Sequence, residues 1–322
     1  METKVKKIIG IDVSKLTIDV YDGKKSYQFK NNIKGFKQLL KKTSGHYVME
    51  ATGSYHIKLA SYLFDGNCLV SVVNPLVVKR FSQMRLLRAK TDKSDAIMIY
   101  EYGQFDELKL WKAPKNYIVE VKQLFTAVDL MLKNRSGYRN QLEAFSHMKI
   151  QNKQVILSIK KQILTLDKLI EKLEKEAENM IRANAKILYE KLRTIPSIGR
   201  KSAIMLIAIT NEFKNFENSK QLSSYIGISP RIYQSGTSVN GKGKICKMGM
   251  GQMRKILFMA SLTASRHNLA CKQMFNRLVE KGKPKKVALV AVMNKLIKQA
   301  FAIGTKLENY SETKFNMEIK LN

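Results

Sequence analysis

Cysteine is scarce in this 322-residue chain, and so is histidine. Cys68, Cys246 and Cys271 are odd in number and scattered, with no Cys-x-x-Cys pair. That excludes a disulfide framework and a cysteine-based zinc site. The histidines, His46, His56, His147 and His267, show no ligand spacing. Long apolar runs are missing too: none reaches the ~18 residues of a spanning helix. The opening METKVKKIIGIDVSK turns acidic and polar too early for a signal peptide. Together these absences predict a reduced, cytoplasmic protein. Between residues 118 and 189 there is no proline and one glycine, Gly137, so nothing there interrupts long helices.

Acidic residues are few for the number of bases. Lys and Arg total 58 against 26 Asp and Glu, a net charge of +32. This exceeds what solubility needs, and it repels itself in a compact state. A polyanionic partner relieves the repulsion, and nucleic acid is the first candidate. The length allows about two domains, and 44% hydrophobic residues supply their cores.

Along the chain, VKKIIG, IDVSKLTIDVYD and KSYQFK are dense in Val, Ile and Tyr with polar residues between them, as in a β-hairpin or meander. A helix follows, with Ile33, Phe36, Leu39 and Leu40 at helical spacing and Gly45 as its stop. HYVME and CLVSVVN are further strands, separated by a helix over 57–64, and residues 74–105 are mostly helical. Alternating strands and helices predict an α/β layer domain over 1–114. Ile156, Ile159, Ile163, Leu166, Ile170, Leu173 and Ala177 alternate steps of three and four, a heptad seam. Residues 115–189 are therefore a coiled-coil region, either an antiparallel hairpin or a short dimer stalk. Residues 190–322 form a mostly helical third region.

Asp12 ends the IIGID strand and Glu50 ends YVME, while Asp92 and Asp95 lie three apart in KTDKSDA. Residues i and i+3 of a helix share a face, so both carboxylates can serve one site. Hard oxygen donors of this kind suit Mg²⁺, and two such ions can clamp the attacking and leaving oxygens of a phosphodiester. Each acid taken alone is more often a cap or a solvated face than a metal ligand. IPSIGRKSA, 195–203, has the hydrophobe-Pro-x-hydrophobe-Gly pattern of a helix-hairpin-helix, in which backbone N–H groups near Gly199 and Arg200 meet a phosphate without reading sequence. Beyond it, PRIYQSGTSVNGKGKICK places Ser235 beside Gly236 and near Lys242, Lys244, Lys247 and, further on, Arg254. A serine hydroxyl needs a base, a metal or a cationic setting to act as a nucleophile, and the lysines and arginine supply the last. Ser238 is a competitor in the same loop.

IIGIDVSK, MEATGSYH and NPLVVKRF leading to RAKTDKSDA resemble, in order and spacing, the N-terminal domain of the DEDD transposases of insertion-sequence family one hundred and ten, the bridge-RNA-guided recombinases. The stretch from YIGISP to MRKILFMASLTA is similar to the C-terminal domain of the same family. Family members often carry Ser, a basic residue and Asn where this chain has Cys246, Met248 and Met250. The resemblance spans about residues 5–112 and 190–265. It implies an RNase H-like (RuvC-like) N-terminal domain, with Asp12, Glu50, Asp92 and Asp95 holding Mg²⁺ and Ser235 as the nucleophile of a phosphoserine intermediate. It also implies donor and target DNA, a structured guide RNA, a homo-oligomer with a composite site, and a place at the bacterial nucleoid. Two other functions remain open on the residues alone: a junction-resolving or repair nuclease that uses water, and a non-catalytic nucleic-acid-binding protein.

Overall fold

The structure is a computed structural model. It describes the backbone of residues 7–51, 53–85, 92–231, 234–235, 239–240, 244–246 and 248–312, with side chains at all of these except 92–93, 231, 234–235, 239–240 and 244. The chain divides into two compact units, Met1–Ala113 and Pro114–Asn322.

The first unit is a mixed sheet with helices. Strands β1 (Ile8–Val13), β2 (Thr17–Tyr21) and β3 (Ser26–Lys30) form a meander, one of the two arrangements the sequence left open. Then come α1 (Ile33–Lys42), β4 (His46–Glu50), α2 (His56–Asp65), β5 (Leu69–Val73), α3 (Pro75–Met84) and α4 (Asp92–Phe105). The order in the sheet is β3-β2-β1-β4-β5. β1 is antiparallel to β2 and parallel to β4, which is parallel to β5. This arrangement is consistent with an RNase H-like domain.

Strand alternation sorts the side chains to two faces. Ile9, Ile11, Val13, Tyr47 and Met49 pack with Phe36 and Leu39 of α1 and Leu59 and Leu63 of α2. Ile8 and Val48, on the opposite face, pack with Val78 and Phe81 of α3 and with Met98, Ile99 and Tyr102 of α4. Two sequence expectations need correction. α1 ends at Lys42 with Thr43 as its C-cap, so Gly45 is not its stop. Ile33 is exposed and belongs to no core cluster, because Asn32 caps the helix through Gly35 N–H and leaves Ile33 at its rim.

The second unit is helical apart from a small ribbon. It comprises α5 (Asn116–Ser146), α6 (Lys153–Arg193), α7 (Arg200–Thr210), α8 (Ser219–Ile226), β6 (Pro230–Arg231), β7 (Gln234–Ser235), β8 (Val239–Asn240), β9 (Lys244–Ile245), α9 (Gly251–His267), α10 (Leu269–Glu280) and α11 (Lys285–Lys306). The heptad seam of α6 closes within the chain: α5 and α6 form a hairpin, tied across by hydrogen-bonded Arg135 and Asp167. α6 continues past residue 189 to Arg193, with a non-helical kink at Ala185. One core joins Ile118 and Val121 of α5 and Ile181 and Leu192 of α6 to α7, to Leu257 of α9 and to Leu296 of α11. The hairpin and the C-terminal helices are therefore one compact body. α7 is buried from Ser202 to Thr210, as an apolar helix at the centre of a bundle must be. Among the described residues, α11 alone has the length and apolarity to cross a membrane, and most of that stretch is buried in this core.

Beyond α7 the backbone turns through three consecutive left-handed residues, Asn211, Glu212 and Phe213. Glu212 fixes that turn to the start of α5 by accepting hydrogen bonds from Lys115 Nζ and Tyr117 Oη, and it also accepts from Lys214. Burial works to raise its carboxyl, but these donors outweigh it and bring the pKa down to about 2 from 4.5. A depressed carboxyl stabilises the fold above its unfolded pKa and loses that contribution as pH falls to its folded one. Glu212→Gln is thus expected to be less stable than wild type in urea melts at about pH 6. The gap should narrow between pH 4.5 and about 2. A gap of constant size across that window contradicts the assignment.

Candidate active site

Asp12 and Glu50 lie at one end of the first unit's sheet. Asp12 lies one residue beyond Ile11, whose partner on β4 is Met49, and Glu50 follows Met49. The two carboxylate residues therefore stand side by side at the C-terminal ends of neighbouring parallel strands. By alternation they share the face of Ile8, Gly10 and Val48, the face that α4 covers.

Gly10 sets how closely α4 lies. A Cβ there would sit 2.3 Å from the Ala96 carbonyl oxygen and 2.5 Å from the Tyr100 nitrogen, both backbone atoms. Further back, a Cβ on Gly103 would sit 2.8 Å from Ile8. Going from Ile8 to Gly10 along β1 thus means going from Gly103 toward Ala96 along α4, so the helix runs antiparallel to the strand. A strand advances about 3.3 Å per residue and a helix about 1.5 Å. Two further residues of β1 correspond to four or five of α4, which brings Asp12 level with the first turn, Asp92 to Asp95. Asp12, Glu50 and Asp95 are each half-buried. The side chain of Asp92 lies outside the described residues. Among the described residues, no three His, Cys, Asp or Glu side chains already sit at metal-binding distances. As chemistry the donor set fits Mg²⁺: oxygen ligands only, of one charge, at a partly open edge.

Asp19 belongs to the same end of the sheet. It is the register partner of Asp12 across β1 and β2. It is only 8% exposed; Oδ1 accepts from Gln28 Nε2 at 3.0 Å, and Oδ2 is buried without a hydrogen-bond partner. The hairpin register through Ser14 to Leu16 was the signal that could have found it.

In the second unit, Ser235 lies on a pinned ribbon. β6 pairs with β9 (Pro230 with Ile245, Arg231 with Lys244), and inside that pair β7 pairs with β8, with Ser235 opposite Val239. The base of the ribbon is locked to the end of α8. Gly227 caps α8 in the left-handed region, and a Cβ on it would lie 2.4 Å from the Met248 carbonyl oxygen. Gly249, at φ 133°, comes as close to Tyr225. Arg254 donates from a guanidinium nitrogen to the Ile226 carbonyl at 2.8 Å, placing a cation at the carboxyl end of α8. So Arg254, expected at the phosphate, has at least one hand on the scaffold. The side chains of Ser235 and Lys244, and the whole of Ser238, Lys242 and Lys247, lie outside the described residues.

The helix-hairpin-helix pattern forms a tight turn between α6 and α7. Ile195 and Ile198 are buried, Ser197 takes φ 84°, and Gly199 is an exposed N-cap with no side-chain cap. Arg200 is ion-paired with Glu174 and Glu178 of α6 at 3.6 and 3.5 Å, and Lys201 with Glu174 at 2.6 Å. Burial pushes the Glu178 carboxyl up, but hydrogen bonds from Tyr189 and Arg182, with the charges of Arg182 and Arg200, hold it below its usual value. Part of the positive charge of this turn is thus spent within the fold.

Comparison with known proteins gives the class: an enzyme acting on DNA, a transposase or recombinase. A transposase family model of the DEDD, IS110 type matches residues 9–147, and a second, described as the transposase IS116/IS110/IS902 family, matches 189–276. The pilin gene-inverting protein of Moraxella lacunata is 31% identical over 92% of this chain and 95% of its own length; that of Moraxella bovis is 30% identical over the same shares. The transposase for insertion sequence element IS1111A of Coxiella burnetii is 22% identical over 94% of this chain and 91% of its own. The chain belongs to the IS110 family of transposases.

The packing at Gly10 carries a stability consequence. At an open strand position Gly→Ala is mildly favourable, by about 0.5–1 kcal/mol. Here it forces backbone against backbone, and Gly10→Ala is expected to cost at least ~1–3 kcal/mol in denaturant melts. A variant as stable as wild type contradicts the close approach of α4.

Proposed function

We propose that this protein cuts and rejoins DNA through Ser235, with Asp12, Glu50, Asp92 and Asp95 holding Mg²⁺. The observation that carries the reading is the convergence of Asp12, Glu50 and the first turn of α4 on one edge of the sheet. Mg²⁺ held by these carboxylates would supply positive charge to the phosphate. The chain's own part is a phosphoryl transfer. The Ser235 Oγ–P bond forms as the bond from phosphorus to the neighbouring nucleotide breaks; the serine proton is lost, and the leaving oxygen gains one. A hydroxyl of the incoming strand then attacks the phosphoserine and returns the serine. Lys242, Lys244 and Lys247 neutralise the phosphate, while Arg254 steadies the ribbon through Ile226. The uncapped N-terminus of α7 at Gly199 and Arg200 meets backbone phosphate.

The partners in this reading are donor and target DNA, a structured guide RNA gripped by backbone and shape, and further copies of the chain in a dimer or tetramer. The protein works at the nucleoid in the bacterial cytoplasm. The names of the two Moraxella relatives favour a second outcome of the same chemistry, inversion of a segment between two sites. A plasmid carrying inverted sites distinguishes inversion from transfer to a second molecule.

The test is recombination on a supercoiled plasmid with the cognate RNA. Ser235→Ala and Asp12→Asn are each expected to lower product by on the order of 10³-fold or more, with Ser238→Ala retaining activity. Wild-type yield from Ser235→Ala removes the nucleophile assignment, and wild-type yield from Asp12→Asn removes the acid assignment.

A further inference from the structure

We propose that Asp19 is a fifth carboxylate of this centre, binding a hard divalent cation together with Asp12. The inference deepens the metal-site reading above and rests on it. Residues opposite each other on antiparallel strands project to the same face, with Cβ atoms about 4.5–5.5 Å apart. Asp19 is opposite Asp12. The next residue of β2 on that face, Tyr21, is opposite Gly10, and its ring meets Tyr100 of α4 edge-on at 5.1 Å. Asp19 therefore faces the side of the sheet that α4 covers, on the Asp12 side of that contact, level with the first turn of the helix.

Two like charges directly opposite in a sheet destabilise it, and a buried acceptor without a partner is costly. Asp19 carries both burdens: it is 8% exposed, and its Oδ2 has no hydrogen-bond partner. Its bond to Gln28 explains Oδ1 only. A divalent cation between Asp19 and Asp12 removes both costs at once, satisfying Oδ2 and screening the pair. Carboxylate donors select a hard cation such as Mg²⁺ or Mn²⁺.

The experiment titrates the full-length protein with Mn²⁺ alone and reads free Mn²⁺ by electron paramagnetic resonance. Asp19→Asn is the variant, because the amide is nearly isosteric and keeps an oxygen for Gln28. Asp19→Ser, smaller and also neutral, serves as the second variant if Asn does not fold. Either is expected to weaken Mn²⁺ binding by about tenfold or more, with Asp12→Asn weakening it as well. Wild-type affinity in the Asp19 variant beside a loss in Asp12→Asn overturns the role of Asp19 and leaves the metal site standing. Wild-type affinity in both overturns the metal-site reading and this inference with it.

Discussion

The first unit depends on one contact, the close approach of α4 to β1 at Gly10. Any side chain at that position would strike backbone of the helix, so the glycine allows a distance that no other residue does. The contact fixes three things at once. It buries Ile8 and Val48 beneath Met98, Ile99 and Tyr102. It sets the helix antiparallel to the strand. It brings the helix's first turn to the strand ends where Asp12 and Glu50 stand. The acids thus share an edge because of an apolar packing decision made two residues away from Asp12.

The second unit solves a related problem with different means. A basic loop proposed to carry a nucleophile has to be mobile enough to accept DNA and fixed enough to aim. Nested strand pairs close the ribbon, and Gly227, Gly249 and Arg254 fasten its base to α8. The glycines flanking the loop are then structural requirements of its base. The net charge of +32 bears on both units. Part of it is consumed internally, as at Arg200 against Glu174 and Glu178, and the large remainder is what a nucleic-acid partner would offset.

Much of this was legible in the residues. The Val- and Ile-rich alternation of β1 and β2 and the heptad seam of α6 carry their own periodicities, and Asp12 and Glu50 end apolar strands in an otherwise basic chain. What stayed hidden depends on residues distant in sequence. The seam does not say whether it closes on the same chain, because the turn between α5 and α6 carries neither glycine nor proline. Gly10 looks like any strand glycine until the helix above it is known. Arg200 looks free for DNA because Glu174 and Glu178 lie on the previous helix. Asp19 looks incidental because only the cross-strand register sets it opposite Asp12.

The central claim is that the carboxylates at the ends of β1 and β4 and the start of α4 form one metal centre. The most direct measurement is anomalous diffraction at the manganese edge from crystals of the full chain soaked in Mn²⁺. The account predicts a peak about 2 Å from a carboxylate oxygen of Asp12, on the face of the sheet that α4 covers. A well-occupied peak elsewhere, with none beside Asp12, would contradict it.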